Sequence, residues 1–328
     1  MISFFMGANT RNGFYSLFDT VRGVRDVSVV KGTSGSGKST FLKTLMRQGR
    51  ERILCSSDHA SLDGVIAERK AIFDGTAPHV CEPTVAGKYV LMPNCDLSPH
   101  KEELARLRDG IKKDYDAAYS LTAAAADARD AARALLLPAF RGDRFLKRAD
   151  GVLKRVKNPR GETRFRFIDS LCAEGVKSLA ETVSELASRI TVVEDSFGLA
   201  DGFFEILKEG FRGTDCYVCP SPIDPLKTRH IILPALGLAF VTSDELCRYD
   251  GPRARVVRET SYIDKNAAAA CKYELKLLKK LENELLCAAC KKYGAAKEKH
   301  KALEAVIRPH LDTDALNKIA EEYKTILD

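Results

Sequence analysis

The sequence lacks any long uninterrupted apolar run. Its longest apolar stretch, residues 231–241, is broken by Pro234 and Gly237, whereas a membrane-spanning helix needs about 20 consecutive apolar residues. The first six residues, MISFFM, lack the charged start and the cleavage signature of a signal peptide. We therefore expect a cytoplasmic chain that does not enter a membrane.

The composition also lacks a strong bias. Hydrophobic residues make up 45% and charged residues 30% of the chain, which is close to the globular average and argues against disorder or fibrous structure. A length of 328 residues is long for one domain and suits two.

The excess of positive charge is small and local. The net charge is +7, and the band from Arg141 to Arg166 alone holds ten basic and three acidic residues. The rest of the chain is balanced. This band predicts either a solvated linker face or a contact for a polyanion such as nucleic acid.

The ten cysteines are expected to be reduced thiols, because no secretion signal accompanies them. Two pairs have CxxC spacing, Cys216/Cys219 and Cys287/Cys290. Four thiolates would suit a structural zinc ion. However, the second pair lies in an Ala/Leu/Lys-rich stretch where small buried thiols are common, so structural packing is the alternative.

One motif carries recognisable chemistry. Residues 27–47 read VSVVKGTSGSGKSTFLKTLMR, a β-branched strand, a G-x-x-x-x-G-K-[ST] loop and an amphipathic helix. Glycines allow the backbone N–H groups to surround phosphate oxygens, Lys38 would reach the β- and γ-phosphates, and the Ser39 hydroxyl would ligate Mg²⁺. The motif predicts ATP or GTP with Mg²⁺, bound by Gly32, Thr33, Ser34, Gly35, Ser36, Gly37, Lys38, Ser39 and Thr40.

Two candidate strands after the loop end in aspartate, at Asp58 and at Asp74. Either carboxylate would lie at the carboxyl edge of a parallel sheet, beside the loop. Asp74 is the preferred partner of Ser39 for Mg²⁺; Asp58 is the alternative, or would orient an acceptor or a water. Gly75 occupies the position at which many ATP-driven machines place a catalytic glutamate, which predicts slow hydrolysis. Both aspartates would also suit plain turns.

The chain reads as two copies of one unit, residues 1–157 and 158–328. Val29-Val30 aligns with Val192-Val193. Each copy continues into a segment rich in helix-forming residues, then a proline and another helix. We expect a helical hairpin appended to each α/β core, at residues 100–135 with 142–156 and at 265–307 with 313–327. These helices would pack across the units or bind a protein partner.

The second copy lacks the chemistry of the first. Lys38 aligns with Asp201, which would repel phosphate. Asp195 and Phe197 replace Gly32 and Ser34 of the loop, and Val241 aligns with Asp74. We therefore expect no nucleotide in the second unit.

Several segments together carry a family resemblance: FFMGANT at 4–10, GFYS at 13–16, the loop, CSSD to SLDGV at 55–65, and DGTAPH at 74–79. The chain resembles the tandem P-loop ATPase-like proteins of Firmicutes and related bacteria. The resemblance implies two tandem P-loop NTPase-like units with mainly parallel sheets, and ATP or GTP binding. In that family both halves commonly carry a phosphate loop, from which this second half departs.

Three functions follow from these patterns. The first is Mg-dependent binding and slow, partner-stimulated hydrolysis of ATP or GTP by the first unit, with Lys38 and Asp74 or Asp58 as catalytic residues. The second unit would then be a regulatory or structural partner, and would offer Arg189, Arg212 or Arg229 to the γ-phosphate.

The second function is a small-molecule kinase in which Asp58 or His59 orients the acceptor. The third is a nucleotide-responsive module that binds protein or nucleic acid. His59 and His79 follow strand ends, where a histidine would contact phosphate, transfer a proton or simply face solvent. Monomer and homodimer both fit an internally duplicated chain.

Overall fold

The helices and strands come in nearly the same order in the two halves of the chain. The computed structural model describes residues 2–21, 24–46, 51–79 and 81–328. The first half contains β1 (Ser3–Phe5), β2 (Gly7–Thr10), β3 (Gly13–Ser16), β4 (Asp26–Lys31), α1 (Lys38–Thr44), β5 (Glu51–Leu54), β6 (Leu62–Ile66), β7 (Lys70–Asp74), β8 (Tyr89–Leu91), α2 (Lys101–Leu136) and α3 (Gly142–Arg155).

The second half repeats this order and adds two short helices, α4 and α6. It contains β9 (Thr163–Phe165), β10 (Asp169–Cys172), β11 (Gly175–Ser178), α4 (Ala180–Leu186), β12 (Arg189–Glu194), α5 (Asp201–Gly210), β13 (Cys216–Pro220), β14 (Thr228–Leu233), β15 (Leu238–Ser243), β16 (Arg255–Arg258), α6 (Lys265–Ala270), α7 (Lys272–Ile307) and α8 (Thr313–Glu322).

Each half builds a six-stranded sheet with the same strand order. The first sheet runs β1-β5-β6-β7-β4-β8 and the second β9-β13-β14-β15-β12-β16. Three of the five strand pairs in each sheet are parallel, while β6 and β14 run antiparallel to both of their neighbours. The expected α/β class with mainly parallel sheets is confirmed, with one reversed strand in each sheet.

The strand registers correct one detail of the internal alignment. Val30 pairs with Asp74 in the first sheet, and the equivalent Val193 pairs with Thr242 in the second. The counterpart of Asp74 is therefore Thr242, and the alignment with Val241 is wrong by one residue. Apolar runs of similar composition do not fix a register, yet a shift of one residue moves a side chain to the other face of a strand.

The two halves share one core. Phe5 and Phe167 exchange two backbone hydrogen bonds, at N···O distances of 2.9 and 2.8 Å. The rings of Phe4 and Tyr217 stack with their centroids 4.8 Å apart. Apolar side chains of both sheets meet in the same buried cluster, so the sheets stabilise each other.

The long helices α2 and α7 pack side by side and antiparallel. Near one end Arg129 donates to Glu282 (3.2 Å), and near the other Lys299 forms an ion pair with Asp114. Buried alanines line the contact, which lets the helices approach closely: Ala118, Ala125, Ala126, Ala289 and Ala296. In the described part of the chain, no helix has the length and apolar character needed to cross a membrane.

The appended helices pack across the two halves, as one of the alternatives predicts, but the expectation of a hairpin within each half is wrong. Helix α2 packs along α7 instead of folding back on α3, α3 packs on α5, and α8 contacts α1. A helix of 36 residues is about 54 Å long, so α2 carries the chain from its own sheet to the opposite half. Pro138 and Pro309 lie just after the long helices, because proline cannot continue the hydrogen-bond pattern.

Candidate functional site

Residues 32–37 form a tight loop between β4 and α1, and three glycines give it its shape. Gly35 and Gly37 have φ values of +79° and +88°, in the left-handed region that glycine adopts readily. A Cβ on Gly32 would lie 2.5 Å from the Ser36 Oγ and 2.8 Å from the Met92 Cβ. Larger residues at these positions would not allow this loop.

Lys38 begins α1 and is buried beneath the loop, with 6% of its surface exposed. Its Nζ donates to the carbonyl oxygens of Gly32 (3.2 Å) and Thr33 (2.7 Å) and lies 3.9 Å from the Asp74 Oδ2. Burial lowers the pKa of Lys38, while the nearby carboxylates, Asp74 foremost, oppose that shift. The loop carbonyls thus hold an ammonium group against the inside of the loop.

Asp74 ends β7 beside the strand that leads into the loop. Its Oδ1 accepts a hydrogen bond from the Thr76 backbone N–H (2.8 Å), and the Thr76 hydroxyl donates to the Gly32 carbonyl (3.1 Å). The Ser39 Oγ accepts from the Leu62 N–H (2.9 Å). The structure therefore brings the predicted residues Lys38, Ser39 and Asp74 to one sheet edge.

Asp58 has other partners. Its Oδ2 accepts from the Ser61 hydroxyl (3.1 Å), and its Oδ1 lies 3.7 Å from the Lys297 Nζ of α7. The side chain is 45% exposed. Of the two predicted carboxylates, it is Asp74 that lies within 4 Å of the Lys38 ammonium.

Asp63 is a site residue that the sequence analysis missed. It is the second residue of β6 and only 5% exposed. Because β6 runs antiparallel, its beginning lies at the edge where β5 and β7 end. Burial raises the pKa of Asp63, the His79 imidazole opposes that shift, and Asp74 adds to it. The signal in the sequence is the aspartate within the otherwise apolar segment LDGVI.

Helices from the second half cover the outside of the loop. A Cβ on Gly35 would lie 3.5 Å from the Glu304 Cα of α7, and one on Gly37 would lie 3.1 Å from Leu316 of α8. Glu304 also acts on Lys38, where its charge favours the protonated ammonium. The loop of the first half is thus completed by the second half.

The equivalent place in the second half is filled by ion pairs. Asp201, at the position of Lys38, lies 3.6 Å from the Lys227 Nζ and 3.7 Å from the Arg133 Nε. Burial raises its pKa to about 6. Arg129 of α2 reaches in and donates to the Asp195 carbonyl (3.4 Å). Basic side chains of the protein itself thus surround Asp201 and Asp195, at the place that corresponds to the loop of the first half.

The three candidate arginines have their partners in the second half. Arg229 donates to Asp169 and Asp244, Arg212 pairs with Glu209, and Arg189 donates to the Leu236 carbonyl. The strand pairings also show which residue takes the place of Asp63 in the second half. In the first sheet Leu54, the last residue of β5, pairs with Leu62; in the second sheet Pro220, the last residue of β13, pairs with Thr228. Arg229, which follows Thr228, is therefore the counterpart of Asp63, so a positive charge replaces a negative one at this position.

The basic band does not form a single free face. Its last member, Arg166, is buried and donates to Glu51 (3.3 Å), and Arg164 pairs with Asp215. Arg141 lies 3.3 Å from Asp264. A polyanionic partner for the band stays a prediction.

The CxxC cysteines are not brought together as metal ligands within the described ranges. Cys216 and Cys219 are buried in β13, whereas Cys287 is exposed on α7. The groups of metal-ligand type found there are instead Cys55 with Asp63 and His79, and His59 with Cys172 and Glu174.

Comparison with protein-family models, with curated proteins and with solved structures found no match. The resemblance to tandem P-loop ATPase-like proteins stays a prediction, as do the kinase and binding-module alternatives.

Proposed function

We propose that the first half binds Mg²⁺ with ATP or GTP at residues 32–40 and hydrolyses the nucleotide slowly. The observation that carries this proposal is the buried ammonium of Lys38, held by the Gly32 and Thr33 carbonyls beside Asp74. A fixed positive charge inside a glycine loop suits the β- and γ-phosphates. The Ser36 Oγ, buried and without a hydrogen-bond partner among the described residues, offers phosphate a further donor.

Ser39 and Asp74 fit Mg²⁺. A hydroxyl and a carboxylate are hard oxygen ligands of the kind that this ion prefers. The Asp74 Oδ1 already accepts from Thr76, whereas its Oδ2 lies 3.9 Å from the ammonium of Lys38. Bound Mg²⁺ would neutralise charge on the phosphate oxygens. Asp74 would hold the ion, while Lys38 holds the phosphates.

Slow turnover follows from the residue after Asp74. A Cβ on Gly75 would lie 2.2 Å from the Val29 Cγ1, so this position has no room for a catalytic glutamate. Helices α7 and α8 pack on the loop through Glu304 and Leu316. We therefore assign the second half the role of a structural and regulatory partner, through which another molecule would stimulate hydrolysis.

Calorimetry and phosphate release on the wild type, Lys38→Ala and Lys43→Ala test the proposal. Lys43 lies on the same helix but is exposed, so it is the matched control. Hydrogen bonds to charged groups contribute about 1.5–3 kcal/mol, which predicts about 10- to 150-fold weaker Mg-ATP binding in Lys38→Ala. Lys43→Ala should bind like the wild type.

Equal affinity of wild type and Lys38→Ala would contradict the proposal. Release of ADP that depends on an added small-molecule acceptor would instead identify a kinase.

A further inference from the structure

Three side chains of different chemistry converge next to the phosphate loop. Cys55 follows β5, Asp63 lies in β6, and His79 lies in the loop after β7. One ligand atom of each lies within 4.8 Å of the others. The three residues lie on successive segments of the chain, and the antiparallel pairing of β6 with β5 and with β7 brings them together.

Two of these side chains are buried with polar atoms that lack partners. Asp63 is 5% and His79 9% exposed. Among the described residues, neither the Asp63 Oδ2 nor the His79 Nδ1 has a hydrogen-bond partner. Buried polar atoms are nearly always hydrogen-bonded, and leaving one unpaired costs about 1–3 kcal/mol. A cation bound between the Asp63 Oδ2 and the His79 ring would remove this cost for the carboxylate oxygen.

The chemistry of the three ligand atoms favours zinc over magnesium. Sulfur, imidazole nitrogen and carboxylate oxygen are the ligands of zinc, whereas Mg²⁺ takes oxygen ligands. Zinc–ligand bonds of about 2.0–2.3 Å place tetrahedral ligand atoms about 3.3–3.8 Å apart. The His79 Nε2 and the Asp63 Oδ2 are 3.5 Å apart, which matches that spacing.

We propose that Cys55, Asp63 and His79 form a zinc-binding site. With three protein ligands the site keeps a fourth position open, as catalytic zinc sites do. The ion would tie the ends of β5 and β7 to the start of β6 at the edge that carries Lys38. Zinc binding does not rest on the proposed nucleotide function, since the ligands differ from Ser39 and Asp74.

The second group of potential ligands is less suited to a metal. The Cys172 Sγ already has the Glu174 carboxylate at 3.1 Å and the Gly175 carbonyl at 3.2 Å as partners. Glu174 is exposed and also pairs with Lys297 (3.0 Å). The polar atoms of Cys172 and Glu174 are therefore occupied, and in this group it is the His59 Nε2 that lacks a hydrogen-bond partner among the described residues.

Cobalt substitution tests the site in the full-length chain. After chelator treatment, titration with Co²⁺ should give a thiolate-to-cobalt charge-transfer band that saturates at one equivalent and is displaced by Zn²⁺. Cys55→Ser should abolish the band. Loss of an outer-shell partner weakens metal binding by about 10- to 100-fold, so Asp63→Asn and His79→Gln, which lose a ligand, should weaken Co²⁺ binding by more than about 10-fold.

Cys95→Ser, at a partly buried loop cysteine, is the matched control and should keep the band. Absence of a band in the wild type, or its persistence in Cys55→Ser, would overturn the proposal. Loss of the band in Cys172→Ser with retention in Cys55→Ser would do so too, by assigning the metal to the second group.

X-ray absorption at the zinc edge on the wild type gives a result that does not depend on any variant folding. One sulfur and two nitrogen or oxygen ligands from the protein are expected. A shell of four sulfurs would overturn the proposal and point to the CxxC pairs. Calorimetry with Mg-ATP on the same samples keeps failure of the zinc site distinguishable from failure of the nucleotide site.

Discussion

Replacing Arg229 with alanine tests the role of the buried arginine that stands in the second half at the position equivalent to Asp63. Arg229 is 7% exposed. Its guanidinium donates to the Asp169 Oδ2 (2.7 Å) and to both carboxylate oxygens of Asp244 (2.8 and 3.0 Å). We predict that Arg229→Ala destabilises the fold and leaves nucleotide binding by the folded protein intact, because this arginine serves the second sheet and not the phosphate loop.

The contacts around Arg229 determine how much free energy of unfolding the alanine variant should lose. Removing one partner of a buried ion pair costs about 3–5 kcal/mol, because a buried charge is left without compensation. Here Asp169 keeps His230 at 2.8 Å and Asp244 keeps Arg129 at 2.9 Å. Neither carboxylate is left alone, so we expect the lower end, about 3 kcal/mol.

Urea unfolding followed by circular dichroism at neutral pH measures the loss. Arg212→Ala is the control, because the Arg212 side chain is 80% exposed and pairs with Glu209 at the surface. Such pairs contribute at most about 1 kcal/mol. If Arg229→Ala lowered the free energy of unfolding by less than about 1 kcal/mol, the structural role given to this network would be refuted.

Two further predictions concern burial. Burial and the neighbouring Asp195 raise the pKa of Glu259 to about 10, so wild-type stability should fall as the pH rises from the unfolded pKa of about 4.3 towards 10. The glutamine in Glu259→Gln cannot ionise, so the Tm of this variant should rise relative to that of the wild type from about pH 5 to about pH 9. The control Glu209→Gln should show no such trend. Absence of the trend in Glu259→Gln would contradict the raised pKa of Glu259. Ala289 is fully buried between α2 and α7, so Ala289→Leu should cost about 1–3 kcal/mol in urea unfolding through overpacking. Exposed Ala302→Leu on the same helix should change stability by less than about 0.5 kcal/mol, and equal effects would contradict the packing.

The sheet edge at which Lys38, Ser39 and Asp74 meet could be predicted from the sequence, because local patterns encode it. Glycine spacing determines the backbone of the loop, a β-branched run predicts the strand before it, and an amphipathic pattern predicts the helix after it. Parallel strands end at one edge, which brings Asp74 to Lys38. Asp63 could not be predicted in the same way, because the run LDGVI looks the same in either strand direction. Its antiparallel pairing is decided by the neighbouring strands.

The helices, too, could be predicted only in part from the sequence. Their composition predicts long helices that end before Pro138 and Pro309, and α2 and α7 do so. Their packing partners could not be predicted, because an alanine-rich face fits closely against any other helix. The exchange of α3 and α8 between the halves depends on the full length of α2 and α7, which no local pattern reveals.

The number of nucleotide sites per chain tests the central claim most directly. Calorimetric titration of the wild type with Mg-ATP and with Mg-GTP should give one site per chain for the nucleotide that binds, because Lys38 serves the first loop and Asp201 takes its place in the second. Two sites would contradict the assignment of an inactive second half. No binding of either nucleotide would contradict the account of the phosphate loop itself.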